Sequence, residues 1–295
     1  MIISASFIKK RAIQIGFDDC GIARAEALPQ FSEKLSEWIG RGNCAEMKFM
    51  ADMQEKRSDP TLLVEGAKSV ISVVVGYKPS QIMQGAHKIA QYAYGEDYHV
   101  KIKQMLFQLI ASIQKDYPIF KAKPCVDTVP ISDKLWAARA GLGWIGRNTL
   151  LITPTMGSYV NIGELVTDME CDQYDTPIEN RCGNCSKCID ACPNHALTDC
   201  LDARRCSSYN TIENRNEELP NYIQLKGYVF GCDYCQLVCP YNQNVISNID
   251  ITPERILELE SLMTADESTF KKITKHSAMN RIKYYQWKRN LSFTK

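Results

Sequence analysis

The sequence predicts an α/β (α+β) domain over residues 1–168, a cysteine-dense module over 169–250 and a short helical tail over 251–295. Three observations predict this division. The first 168 residues mix helical apolar spacing with β-branched runs, and nine of the thirteen cysteines fall between Cys182 and Cys239. Residues 271–295 hold eight Lys or Arg and no Asp or Glu. A chain of 295 residues is long enough for about two cores. No segment approaches the roughly 18 apolar residues of a membrane span. The opening MIISASFIKKRA lacks the apolar stretch of a signal peptide. A net charge of +1 excludes a generic polyanion binder.

The elements follow in order. Residues 6–15 and 31–39 have the apolar spacing of helices, and the β-branched run 70–75 reads as a buried strand. Residues 100–113 repeat apolar positions near a 3.6 period, which predicts a longer helix. A strand over 121–126 leads to Asp127, and a helix from 133 to 140 stops at Gly141. The glycines of residues 141–149 (GLGWIGRNT) let backbone approach a ligand closely. They do not follow the G-x-G-x-x-G order after a strand, so a dinucleotide-binding fold is rejected. Two strand runs over 150–166 flank a turn at 155–158. The polar stretch 170–180 reads as a linker. Residues 186–191 and 233–238 read as single helical turns, and three amphipathic helices are expected after residue 253.

The cysteines carry the first chemistry. Cys182-x2-Cys185-x2-Cys188-x3-Cys192-Pro193 is followed by Cys232-x2-Cys235-x3-Cys239-Pro240, with Cys206 between them. In two-cluster ferredoxins the cysteine before the proline ligates the opposite cluster. By that rule Cys182, Cys185, Cys188 and Cys239 hold one [4Fe-4S] cluster, and Cys192, Cys206, Cys232 and Cys235 hold the other. Cys200 stands as an alternative to Cys206. Zinc competes for paired C-x2-C motifs, but the fourth cysteine of the dense run has no role in one tetrahedral site. A disulfide framework belongs to short secreted chains. Cluster thiolates fit a reducing, cytoplasmic compartment. Cys20, Cys44, Cys125 and Cys171 read as buried hydrophobes. In the basic tail, Tyr284, Tyr285, Trp287 and Phe293 are interleaved among Arg281, Lys283, Lys288 and Arg289. That mixture suits a phosphate backbone with exposed bases, or a merely solvated helix face.

Longer blocks extend the pattern. They are 56–60 (KRSDP), 92–99 (YAYGEDYH), 126–130 (VDTVP), 137–151 (AARAGLGWIGRNTLL), 157–159 (GSY) and 163–168 (GELVTD). Residues 201–209 (LDARRCSSY), 211–213 (TIE) and 230–240 (FGCDYCQLVCP) complete them. Over most of its length the sequence thereby resembles the epoxyqueuosine reductases, cobalamin-dependent iron–sulfur enzymes of tRNA modification. The block 141–151 is far more specific than the cysteine runs. Tyr159 for the commoner Trp and Arg147 for Lys are mild departures, and longer members continue into helical repeats that this sequence lacks.

The resemblance implies removal of the epoxide oxygen from epoxyqueuosine at the wobble position of tRNA with a GUN anticodon, giving queuosine. It implies cobalamin in the N-terminal domain, fed electrons through the two clusters by an external flavodoxin- or ferredoxin-like donor. Asp127 matches the family's acid, although an aspartate there also suits capping of the next helix. Arg57, Tyr98, His99, Asn148, Gly157, Ser158, Ser208 and Tyr209 are the implied cobalamin contacts, alongside Asp127. His99 is equally readable as a core histidine and Arg57 as a surface arginine. Asp97-Tyr98-His99-Val-Lys-Ile102 nearly meets the corrinoid signature D-x-H-x-x-G but lacks its glycine, so no histidine ligand to cobalt is expected. Arg281, Lys283, Lys288 and Arg289 are the expected tRNA contacts. A monomer is expected, since no long apolar heptad is present. Two other readings fit the cysteines: a corrinoid reductase acting on carbon–halogen bonds, and a ferredoxin-type electron carrier.

Overall fold

The computed structural model describes residues 2–294. In chain order the elements are β1 (Ile2–Ile3), α1 (Ala5–Ile15), β2 (Asp19–Arg24), α2 (Pro29–Gly40), α3 (Phe49–Asp52) and α4 (Gln54–Ser58). Next come β3 (Ser69–Gly76), β4 (Lys88–Ile89), α5 (Tyr98–Gln114), β5 (Ala122–Cys125) and α6 (Asp133–Arg139). Then follow β6 (Trp144–Ile145), β7 (Leu151–Ile152), β8 (Val160–Thr167) and β9 (Glu170–Cys171). The remainder holds α7 (Lys187–Asp190), α8 (Ser207–Ile212), β10 (Tyr228–Phe230), α9 (Tyr234–Leu237), α10 (Pro253–Ser261), α11 (Glu267–Thr274) and α12 (Tyr284–Phe293). No described helix is long and apolar enough to cross a membrane.

Two units emerge. The first comprises Met1–Arg41, Phe49–Gly76 and His99–Gly183, and the second Gly42–Lys48, Tyr77–Tyr98 and Asn184–Lys295. In the first, β2-β3-β8-β5 form one antiparallel sheet. The run expected as a strand is its interior, and every residue of β3 is buried. The sheet's two faces follow from the period-2 alternation of side chains. Gly163 of β8 lies under α5, where an added Cβ would stand 2.6 Å from Ile102 and 3.3 Å from Leu106. Ile102, Leu106, Leu109 and Ile113 repeat at helical spacing and are fully or nearly fully buried. Each contributes roughly 1.5–3 kcal/mol by leaving water.

Val166, Val70, Ala23 and Cys125 turn to the opposite face and pack with Trp136 and Ala140 of the α6 segment. Gly21 lets that segment close on β2, since a Cβ there would come 1.9 Å from the Ala140 carbonyl oxygen.

Two expectations are corrected in this unit. The stretch 170–180 is not a free linker over its length. Its start pairs with β1, Ile2 opposite Glu170 and Ile3 opposite Cys171. Asp172 accepts the Ala5 amide at 2.8 Å, and Asp175 accepts from Lys9 at 2.6 Å and from the Ile22 amide at 2.8 Å. Polar residues there serve as anchors to the N-terminal helix and strand. The glycines of 141–149 face the chain itself. Gly141 has φ +74°, and a Cβ at Gly143 would stand 2.2 Å from the Ile152 carbonyl oxygen. Close approach is indeed required, but by β7.

The second unit is not module plus appendage. Phe230 of β10, Ile89 of β4, Leu259 of α10, Phe270 of α11 and Trp287 of α12 share one core. The Asn290 side-chain amide donates to the Thr211 and Val229 carbonyls, each at 2.9 Å. Residues 251–294 therefore complete the cysteine module's core. Short cysteine loops bury little apolar surface themselves, and the amphipathic helices need a partner.

Candidate active site and cluster module

In the first unit Arg57, His99, Asp127, Asp133 and Glu164 converge where α4, α5, β5 and α6 meet the sheet. Asp127 follows β5 and occupies the left-handed region, φ +49°, which a residue with a Cβ adopts at a cost. Its Oδ2 lies 3.2 Å from His99 Nε2 at the start of α5, and its side chain remains 63% exposed. Asp127 does not cap the next helix: the N-cap of α6 is Ser132. Nor is His99 a core histidine, since it faces the acid and is partly open.

Arg57 closes α4. Its Nη2 donates to the Phe49 carbonyl at 2.9 Å, while its Nε is buried without a hydrogen-bond partner. Burial lowers the guanidinium below its ordinary value, opposed by the negative charge of Asp133 and Asp127. That opposition places all three in one electrostatic neighbourhood. Asn148 is likewise half-satisfied: its Oδ1 accepts the Leu150 amide at 3.3 Å and its buried Nδ2 has no partner. Two buried donors without acceptors are costly unless something else meets them. Gly157, φ +55°, closes a turn by accepting the Thr153 amide at 2.8 Å, and Ser158 beside it is buried.

Sequence reasoning missed two members of this site. Glu164, in the middle of β8, is fully buried, and Asp133 opens α6 against it. Burial pushes the Asp133 carboxyl up to about 6 and the Glu164 carboxyl well above its usual range, each raised further by neighbouring carboxylate charge. The available signal was a lone acid inside the apolar run of 162–166. Nothing in that run says which face it occupies or what stands opposite.

In the second unit several of the cysteines share one electrostatic neighbourhood. Burial pushes the Cys232 thiol up to about 12, and negative charge on Cys206 and Cys192 adds to it. The Cys235 thiol is raised by burial and by Cys232, Cys206 and Cys188. Burial and mutual repulsion of the thiolate forms make ionising these cysteines costly, a penalty that a cationic metal–sulfide group removes by binding them. The Ala196 amide donates to Cys192 Sγ at 3.3 Å, and Cys200 Sγ accepts from Asn43 Nδ2 at 3.2 Å.

Other expected contacts have visible local jobs. Tyr98 packs edge-on to Tyr92, with ring centroids 6.0 Å apart. Tyr209 OH accepts the Glu46 amide at 3.2 Å, and the Ser208 carbonyl accepts Thr211 Oγ1 at 3.1 Å. In the tail, Arg281 forms a two-pronged pair with Glu213 at 2.9 and 3.0 Å. Arg289 donates to the carbonyls of Asn210, Asn214 and Asn216. Lys283 and Lys288 are exposed.

Comparison with known proteins decides the family. Residues 57–128 match the family described as epoxyqueuosine reductase QueG, and residues 181–242 match the 4Fe-4S double cluster binding domain. The epoxyqueuosine reductase of Leadbetterella byssophila is 41% identical over 297 residues, covering 98% of this chain and 97% of that protein. The chain belongs to the epoxyqueuosine reductases. Two solved epoxyqueuosine reductases superpose on 98% of it and are themselves covered to 80%. One, with an epoxyqueuosine-modified tRNA-Tyr stem loop, has a TM-score of 0.83 at 29% identity. The other, from Bacillus subtilis, has an aspartate catalytic loop swung out of the active site and a TM-score of 0.82 at 28% identity. As an epoxyqueuosine reductase with a 4Fe-4S double-cluster domain, the chain is a redox enzyme, neither a bare electron carrier nor a zinc protein.

Proposed function

We propose that this chain reduces epoxyqueuosine to queuosine in tRNA, with Asp127 as the acid that protonates the departing oxygen. The observation that carries the reading is the Asp127–His99 pair. An exposed carboxyl stands 3.2 Å from an imidazole, on backbone held in the left-handed region. Removing an epoxide oxygen as water to leave the carbon–carbon double bond consumes two electrons and two protons. Asp127 gives the first proton to the oxygen as its carbon–oxygen bond opens. His99 Nε2 passes the second through the same carboxyl.

The electrons enter singly through the clusters. Cys182, Cys185, Cys188 and Cys239 hold one, and Cys192, Cys206, Cys232 and Cys235 the other. Cys206 acts electrostatically on both Cys232 and Cys235, whereas Cys200 Sγ accepts from Asn43, which supports Cys206 rather than Cys200 as the fourth ligand. Cobalamin fits the first unit: Arg57 Nε and Asn148 Nδ2 are buried donors that the amide and phosphate groups of its periphery would satisfy. When bound, it would supply a low-potential metal centre for the two-electron reduction of the epoxide. Arg57 and Asn148 would hold and orient it, and Gly157 and Ser158 would line it. Lys283 and Lys288 are the tail residues left to meet tRNA phosphates, because Arg281 and Arg289 are engaged in holding the tail to α8.

The test is an anaerobic assay of the cluster- and cobalamin-loaded enzyme on tRNA bearing epoxyqueuosine, scored for queuosine by nucleoside mass analysis. Asp127→Asn is expected to lower turnover by about 10²–10⁴-fold with cluster and cobalamin absorption unchanged. No queuosine from the unmodified enzyme overturns the activity. Full turnover in Asp127→Asn overturns the acid.

A further inference from the structure

We infer that Glu164, fully buried, and Asp133, half-buried against it, form a carboxyl pair sharing one proton, and that through it Glu164 acts as a positioning residue for the Asp127 loop. The inference rests on the reading of Asp127 as the acid. The sheet register places Glu164 opposite Ser72 of β3 and Cys125 of β5. The pleat turns it, like Val166, toward α6 and away from α5. There it is fully buried, and neither of its oxygens receives a hydrogen bond from a protein donor. The group against it is the Asp133 carboxyl.

Glu164 is sealed from water with no donor to either oxygen, so an ionised carboxyl there beside an ionised Asp133 is strongly disfavoured. One proton must stay, and it belongs between them. β3 offers the hydroxyl of Ser72, which has no partner, and β5 offers the Cys125 thiol, which burial and the charges of Glu164 and Asp133 keep protonated. Lys123 lies beyond Cys125. From α4 comes Arg57, whose charge is coupled to Asp133 and Asp127. From the loop comes Asp127, whose charge disfavours ionisation of both members.

The pair reaches the acid through the backbone. Asp133 Oδ1 accepts the Asp127 amide at 3.4 Å. That amide belongs to the residue held at φ +49°, a conformation that persists only when its surroundings impose it. A proton donated by Glu164 fixes the rotation of the Asp133 carboxyl and leaves Oδ1 free to accept. A residue needed only to fill this site would be apolar, as Val70 and Val166 beside it are.

Two substitutions separate positioning from packing. Glu164→Gln keeps a donor to Asp133, and Glu164→Leu removes it while filling the same buried space. Infrared difference spectra, unmodified enzyme minus Glu164→Gln, are expected to show a protonated-carboxyl C=O band at neutral pH. Subtraction is needed because Asp233 in the other unit is also a buried acid. Hydrogen exchange over residues 126–133 is expected to quicken in Glu164→Leu and not in Glu164→Gln. Turnover is expected to fall about 10²-fold in Glu164→Leu with KM unchanged, and to recover most of the way in Glu164→Gln. The inference is overturned by absence of the band, or by a Glu164→Leu enzyme with unmodified turnover and loop exchange. If instead Asp127→Asn proves fully active, the acid reading fails, while the band and the exchange rates still decide the pair.

Discussion

The two redox-relevant regions of this molecule are assembled on opposite principles. In the second unit the expected ligands are identical thiols, seven of the eight with two or three residues between neighbours in two short runs, and the single turns α7 and α9 carry Cys188 and Cys235. In the first unit the groups are unlike one another and come from α4, α5, the loop after β5, α6 and β8. Local spacing governs the former because one turn of chain brings neighbours within reach of a cluster. Long-range strand pairing governs the latter, because only the β3–β8–β5 register brings Glu164 under the Asp127 loop. Disturbance should therefore be all-or-none in one region and graded in the other.

The largest effect is expected from the cluster module. Cys232→Ser should remove one of two clusters, halve the iron content and abolish turnover, because electrons then lack a continuous path. An enzyme with undiminished iron would break the ligand assignment. Stability of the same unit is expected to hinge on the tail. Trp287 is fully buried, donates to the Leu262 carbonyl at 3.0 Å and lies on Phe270 with centroids 5.3 Å apart. Trp287→Ala should cost about 3–5 kcal/mol in denaturant unfolding. A much smaller loss would restore the picture of a detachable appendage.

The carboxyl site should show itself through pH. Asp133 is pushed up to about 6 and Glu164 well above its usual range, so the folded chain keeps protons that the unfolded chain releases from about pH 4. Their contribution is intact below the ordinary carboxylate range; that of Asp133 is lost as pH rises through about 6, and that of Glu164 continues to fall at higher pH. Glu164→Gln should flatten that decline between pH 4 and 7, and an unchanged slope would remove the pair from the balance. The smallest effect is expected at the surface. Lys283→Ala with Lys288→Ala should weaken tRNA binding and lower its salt dependence by about 0.7–0.9 per lost phosphate contact, leaving cluster content and folding alone. An unaltered salt slope would move the tRNA contact elsewhere.

What could be read in advance, and what could not, divides along the same line. The double-cluster domain, the helix α5 and the buried run of β3 were legible because the cysteine runs, the helical period and the β-branched run each lie within a few residues. Asp127 was legible through resemblance, yet its partner was not, since His99 is 28 residues away and reads equally as a core residue. The glycines of 141–149 were legible as points of close approach, but the approaching group is the chain's own Ile152 backbone. Arg281 and Arg289 had the charge for a phosphate surface, and folding committed them to Glu213 and to three carbonyls of the α8 region.

Ligand chemistry, family and the alternation of helix and strand are thus written in the order of residues, because they depend on spacings of a few positions. The state of each carboxyl is not. Glu164 and Asp127 are the same functional group with nearly the same intrinsic acidity, one sealed against a second acid and the other open beside an imidazole. Burial and neighbouring charge make that difference, and both exist only once distant strands have paired and the α6 helix has closed over them.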